Sequence, residues 1–187
     1  MFLKDRLARY NDQAAYKELF TAFYPRLVLF AFGIIKSRPS AEEIVSDVFI
    51  NIWQKRSRLE HIGNFRLYLY TATRNTAINY RQREHPTQNI DLADLPVELS
   101  LLPVNPEGLL ITAEMKKMIR EAVDQLPNRC KLVFKLVKED ELKYREVAEL
   151  LKISVKTVEA QMTIALRRIG ETVRFDPHRS LPAPVKK

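Results

Sequence analysis

The stretch AELLKISVKTVEAQMTIALRRI, Ala148 to Ile169, constrains this chain more than any other. Val147, Ala148, Leu151, Val158, Met162, Ala165 and Ile169 recur at helical spacing. They predict two helices sealed against each other across a tight turn. The second helix enters on Ser154, whose hydroxyl can accept from the free N–H groups of the turn that follows. Lys156, Thr157, Glu159, Ala160, Thr163 and Arg167 then face outward. A short helix with a sealed inner face and a mixed polar outer face suits insertion into a DNA major groove. A plain helical hairpin with a solvated outer face has the same spacing, so the rest of the chain must discriminate.

Charge favours the DNA reading. Net charge is +8, and between Glu84 and Glu114 there are six acidic residues and no Lys or Arg. The flanking parts therefore carry all 31 basic residues against 17 acidic ones. Two basic blocks around an acidic connector point to a polyanionic partner for each block. The length of 187 residues and the hydrophobic fraction of 46% allow one globular domain or two small ones. No apolar run is expected to span a bilayer and no signal-peptide pattern opens the chain, so a cytoplasmic protein without membrane insertion is expected. Cys130 is the single cysteine; it sits at an apolar-periodic position in LPNRCKLVF and is expected to be a buried structural thiol.

With 4 glycines and little strand-like alternation, the fold class is all-α. Helices are predicted over Ala14–Tyr24 and Pro25–Lys36, the second opened by its proline. Phe20, Phe23, Tyr24, Leu27 and Phe30 form an aromatic-rich stripe assigned to the core. A further helix begins at Ser40, with Glu43 at capping-box spacing. It buries Ile44, Val45, Val48, Phe49 and Ile52, with Trp53 alongside, and exposes Asp47, Asn51, Gln54 and Lys55. The next helix is capped by Asn64 and runs to about Arg83. EHPTQNIDLADLPVELSLLPVNPEG follows, with four prolines and scattered leucines, and reads as a linker that docks on something. Asn105-Pro106-Glu107 restarts helix. Later helices are expected at Asn128–Lys138, Tyr144–Leu151 and Ser154–Val173. The tail from Asp176, with three prolines, is expected to be disordered.

No catalytic or metal motif is present in the sequence. His61, His85 and His178 are scattered, and Glu42-Glu43 reads as a helix-start charge pair. The expectation is therefore no enzyme, no metal, no cofactor and no small-molecule substrate. The helix NFRLYLYTATRNTAINYRQR carries another signal. Thr71, Asn75, Asn79 and Gln82 fall along one polar strip, with Arg74 and Arg81 beside it and Tyr68, Tyr70 and Tyr80 nearby. Amides can bond base edges, arginine can hold phosphate, and aromatics can stack on unpaired bases.

Four segments in order, YPRLVLFAF, AEEIVSDVFINIWQKR, FRLYLYTATRNTAINYRQR and LPNRCKLVFKLVKEDELKYREVAELLKISVKTVEAQM, resemble the sigma-70 superfamily. More closely they resemble its small extracytoplasmic-function (ECF) sigma factors, from about Ala14 to Val173. The resemblance implies two helical domains: region 2 over 1–83 and region 4 over 106–175, with a linker over 84–105 and a tail over 176–187. It implies a subunit that binds RNA polymerase core and directs promoter recognition, DNA melting and initiation. The helix from Ala41 to Arg56 would bind the clamp helices of the largest catalytic subunit through Asp47, Asn51 and Gln54, and region 4 the beta flap. The loop Leu59–Gly63 and the following helix would melt and capture the −10 element through Arg74, Asn75, Asn79, Arg81 and Gln82, with Asn75 lining a pocket for an extruded base. Lys156, Thr157, Glu159, Ala160, Thr163 and Arg167 would read the −35 duplex; Glu159 can accept from cytosine N4, and Ala160 or Thr163 can touch a thymine methyl. The acidic linker, with Asp91, Asp94 and Glu98, would thread the active-site cleft. An anti-sigma factor is the further partner implied. Two positions depart from the family: Lys152 and Glu141 stand where glycine is common, and a left-handed residue other than glycine carries strain.

SVKTVEAQM also resembles the reading helix of LuxR-type regulators, which bind duplex DNA without polymerase. That alternative needs a sensory or receiver domain, and the N-terminal half has no strand–helix alternation to build one. An all-α interaction adaptor is a third reading, and it leaves the two basic blocks unexplained.

Overall fold

Nothing between Gln13 and Ile35 stops a helix except Pro25, and Pro25 does not stop it. In the computed structural model, which describes residues 3–84 and 113–174, this segment is one helix. Pro25 leaves the Thr21 carbonyl without an intrahelical donor. Both residues are exposed, so solvent can satisfy that carbonyl, and the two expected helices are continuous. The helices are α1 (Leu3–Tyr10), α2 (Gln13–Ile35), α3 (Arg38–Gln54), α4 (Phe65–Glu84), α5 (Ala113–Asp124), α6 (Asn128–Lys138), α7 (Tyr144–Leu151) and α8 (Val155–Arg174), with a 3-10 turn at Arg56–His61. No strand occurs among the described residues.

α2 is the axis of the first domain. Its Leu27, Val28, Phe30, Ala31 and Ile34 are buried together with Ile44, Val45, Val48, Phe49 and Ile52 of α3 and Leu69, Tyr70 and Ala77 of α4. Each such aliphatic side chain contributes about 1.5–3 kcal/mol by leaving water. By length and composition α2 is also apolar enough to cross a membrane, contrary to the expectation that no segment is. Here those apolar residues supply the core between α3 and α4. The aromatic stripe is only partly core: Leu27 and Phe30 are buried, whereas Phe20 lies at the rim, stacked on Tyr24. α3 starts earlier than expected. Ser37, not Ser40, is its cap, with Pro39 in the first turn, and the Ser40 hydroxyl instead meets the Tyr80 hydroxyl at 3.1 Å.

α1 is an element the sequence reading did not anticipate. It buries Leu7 and packs on the 3-10 turn. Lys4 Nζ donates to the Ile62 carbonyl at 2.7 Å and Arg9 reaches Glu60 at 2.6 Å, so the N-terminal helix holds the loop that leads into α4.

In the second domain α5, α6 and α7 all pack on α8. Val123, Leu126, Val133, Leu136, Val147, Leu151, Val158, Met162 and Ala165 are buried there. α6 and α7 keep their expected bounds, and α8 begins just past its Ser154 cap. Cys130 is buried, its thiol donating to the Gln161 carbonyl at 3.2 Å, and burial pushes its pKa up, as befits a structural thiol. The acidic linker with Asp91, Asp94 and Glu98, the helix start at Asn105, His85, and the tail with His178 lie outside the described residues.

The turn Glu139–Glu141 joins the domains. Glu141 takes the left-handed conformation, φ 50°, which reverses the chain after α6. Asp140 is 1% exposed. Arg26 of α2 donates to the Glu139 carbonyl at 2.7 Å and lies 3.3 Å from the Asp140 carboxylate. Arg66 of α4 donates to the Asp140 carbonyl and to Glu141. Asn64 donates to Glu146 of α7. Lys135, also buried, stands 3.9 Å from Glu139. Burial raises the Glu139 carboxyl to about 7; the Asp140 charge adds to the rise, while Lys135 and Arg26 oppose it. Burial raises Asp140 as well, against Tyr70, Lys135 and Arg26.

A carboxyl whose pKa is raised by folding holds its proton longer in the folded chain. Stability therefore falls as pH rises from the ordinary 4.5 through about 7. Urea midpoints measured at about pH 5 and pH 8 should fall further for the wild type than for Glu139→Gln. Parallel shifts in the two proteins would contradict this.

Candidate nucleic-acid interface

Helical repeat divides α4 into two faces. Leu69, Tyr70, Thr73, Arg74 and Ala77 are buried, and Asn75, Asn79 and Gln82 are exposed, with Thr71 half-buried at the head of the strip. Asn64 caps the helix by accepting from the Leu67 N–H at 3.0 Å. The polar strip thus stands open on the side away from α2.

Two of the expected −10 residues are not on that strip. Arg74 is 8% exposed and lies under it; its Nη1 donates to Asn75 Oδ1 at 3.1 Å, and its Nε has no hydrogen-bond partner among the described residues. Burial lowers its pKa. Arg81 donates to the Ile34 carbonyl at 2.8 Å and so ties α4 to the end of α2. The cause in both cases is the position on the α2-facing arc, three and four residues from Ala77. Of the tyrosines, Tyr70 is fully buried and Tyr80 is bonded to Ser40. Tyr68 is half-buried, stacked on Phe65 at 6.3 Å, and lies close to Thr71 and Asn75 along the helix.

The outer face of α8 is open too. Lys156, Glu159, Ala160, Thr163 and Arg167 are exposed. Thr157 differs: it is half-buried, its hydroxyl lies 2.8 Å from that of Ser154, and its N–H donates to Ser154 Oγ at 3.0 Å. It completes the cap rather than the outward face. The Thr163 hydroxyl donates to the Glu159 carbonyl at 2.9 Å, which turns it toward the helix backbone. Lys152 carries the turn at φ 54° and ψ 45°, and the Ile153 N–H closes it onto the Ala148 carbonyl at 3.0 Å. The turn forms without glycine.

A third surface lies on α3. Asp47, Asn51 and Gln54 are exposed, as expected, and Ile50 joins them on the same face at 51% exposure. Trp53 is half-buried beside it, edge-on to Tyr16 at 5.0 Å and under the Arg56 guanidinium at 4.7 Å. Gln13, Tyr16, Ile50, Trp53 and Gln54 line an open groove. Ile50 was missed in the sequence, although its place outside the buried series Ile44, Val45, Val48, Phe49 and Ile52 marks it. Among the described residues no cluster of His, Cys, Asp and Glu could hold a metal ion.

Comparison with known proteins identifies the family. Residues 19–87 match the family model Sigma-70 region 2, and residues 116–169 match Sigma-70, region 4. Together the two models span well over half of the chain, and the chain belongs to the sigma-70 family, in its ECF branch. It is 25% identical over 176 residues to a probable RNA polymerase sigma factor, RfaY, of Xanthomonas campestris, covering 92% of this chain but only 44% of that protein. It is 23% identical over 175 residues to the ECF RNA polymerase sigma-E factor of Escherichia coli, covering 88% of this chain and 89% of that one. Among solved structures it is similar to the sigma factor RpoE of Bartonella quintana in complex with the anti-sigma factor NepR, at a TM-score of 0.47 and 20% identity over 86% of this chain and 98% of that one.

The left-handed Lys152 generates a stability prediction. A side chain there costs about 1–2 kcal/mol, and glycine returns part of that as greater freedom in the unfolded chain, about 0.5–1 kcal/mol. Lys152→Gly should therefore raise the urea midpoint by an amount equivalent to about 0.5–1 kcal/mol. A lower midpoint would show that the Lys152 side chain has a role the turn does not reveal.

Proposed function

We propose that this ECF sigma factor binds RNA polymerase core through the α3 face, captures the unpaired −10 strand on the α4 strip, and reads the −35 duplex with the outer face of α8. The observation that carries this reading is the pair of open polar faces, one on each domain, each backed by a buried apolar face of the same helix. Region 2 is assigned to 1–83, the linker to 84–105, region 4 to 106–175 and the tail to 176–187.

On the −10 side Asn75, Asn79 and Gln82 supply donors and acceptors, and Tyr68 supplies an aromatic face. Unstacking costs a few kcal/mol per base, and stacking on an aromatic side chain returns about 1–3 kcal/mol. Binding alone can therefore hold a melted strand, and no catalytic step is assigned to this chain. On the −35 side Glu159 accepts from cytosine and Ala160 and Thr163 offer methyl groups to thymine. Lys156 and Arg167 hold phosphates and set register. Asp47, Ile50, Asn51 and Gln54 form the polymerase contact. The beta flap for region 4, promoter DNA, an anti-sigma factor and a cytoplasmic location complete the proposal.

Run-off transcription with bacterial core polymerase on a pooled genomic promoter library tests it. Discrete start sites should require this protein. Asn75→Ala should lower initiation about tenfold or more, while changes at Glu159 and Thr163 should alter which promoters are used. Ile50→Asp should weaken core binding about tenfold. Duplex binding without core binding or initiation would identify a LuxR-type regulator instead.

A further inference from the structure

Arg74 is a cation that α4 has taken out of water without an anionic partner among the described residues. Its one hydrogen bond at the surface runs to Asn75 Oδ1 at 3.1 Å, and its Nε is unpaired among the described residues. Such a group is costly to keep, and a methionine or leucine would fill the same space without that cost. The bond itself carries information. A guanidinium has donors only, so the Asn75 atom facing it is the carbonyl oxygen, and the amide cannot be flipped. With that oxygen engaged inward, the exposed edge of Asn75 is its NH2 group.

From this we infer that Arg74 is a positioning residue that fixes the Asn75 amide, and that Asn75 therefore grips an extruded base as a hydrogen-bond donor, on a carbonyl oxygen or ring nitrogen of that base. The inference rests on the proposed reading of Asn75 as a −10 contact. It assigns a ligand chemistry to that contact: an acceptor atom, not an exocyclic amino group. The buried charge has a second effect in the same direction. Field lines from a cation beneath the strip emerge through it toward the strand, where phosphates are bound.

The test uses the full chain with core polymerase on promoters randomised across the −10 element. Asn75→Ala and Arg74→Met should flatten base preference at the same promoter position, with the double variant no worse than Asn75→Ala alone. Arg74→Lys, which keeps the cation and a donor, should restore part of the preference. At that position base analogues lacking one acceptor atom should lose initiation about tenfold, matching Asn75→Ala, and an analogue lacking only the exocyclic amino group should not. Arg74→Met that lowers initiation equally on every promoter, with preferences intact, would overturn the positioning role. A loss seen only on deleting the amino group would overturn the donor assignment. If Asn75→Ala itself changes no preference anywhere, the underlying −10 reading fails, and that outcome is separate from the other two. Because Arg74→Met is an apolar replacement of similar length, folding is checked by its urea midpoint, and the exposed Asn75 supplies the variants that do not depend on the core.

Discussion

A carboxylate removed from water must be given a cation, and Asp140 receives one from the other half of the chain. Arg26 lies 114 positions earlier, on the central helix of region 2, and meets both the Glu139 carbonyl and the Asp140 carboxylate. Without it, Glu139, Asp140 and Lys135 would share a buried pocket with no cation from the other domain at the carboxylates. Breaking one side of a fully buried pair costs about 3–5 kcal/mol; Arg26 keeps 30% of its side chain exposed, so the cost here is smaller but still a sizeable part of a domain's total stability. The contact therefore ties the order of region 4 to that of region 2. It also explains why the chain accepts a left-handed Glu141: the reversed turn presents the Asp140 and Glu139 carbonyls to Arg66 and Arg26, and Glu141 itself reaches Arg66.

That docking leaves the three proposed surfaces open, because it uses the arc of each helix that they do not. Arg66 and Tyr70 share the α2-facing side of α4, whereas Asn75 and Asn79 lie across the helix from them. In region 4 the contact falls on the α6–α7 turn and α7, not on the outer face of α8.

The parts of this fold that were legible in sequence are those set by a local period. α6, α7 and the sealed face of α8 are where expected because Leu, Val and Met recur at three and four residues, and the starts of α4 and α8 because Asn64 and Ser154 are efficient caps. Glu141 and Lys152 stand where glycine is common in the family, and both take positive φ. What was not legible depends on neighbours distant in sequence. Pro25 reads as a boundary until its turn is known to face water. Ser40 looks like a better cap than Ser37 until Tyr80 takes its hydroxyl. Arg74 and Arg81 look like phosphate ligands on a helical wheel, and only the position of α2 shows that they point inward.

Arg81 and Arg74 also show why charge counts overstate a nucleic-acid surface. Both add to the net charge of +8, yet neither presents a free guanidinium to a strand. The exposed strip is nearly neutral: a threonine, two asparagines and a glutamine. A neutral amide surface is poorly suited to gripping duplex phosphates, which dominate the affinity of ordinary DNA-binding proteins. It is well suited to single-stranded bases, whose edges become available only once the pairs have opened. The α8 face is charged instead: Lys156, Glu159 and Arg167 are exposed on it, and Arg167 lies 3.8 Å from Glu171. The α4 strip offers neutral amides and the α8 face charged side chains, a contrast that suits the proposed division between strand capture and duplex reading.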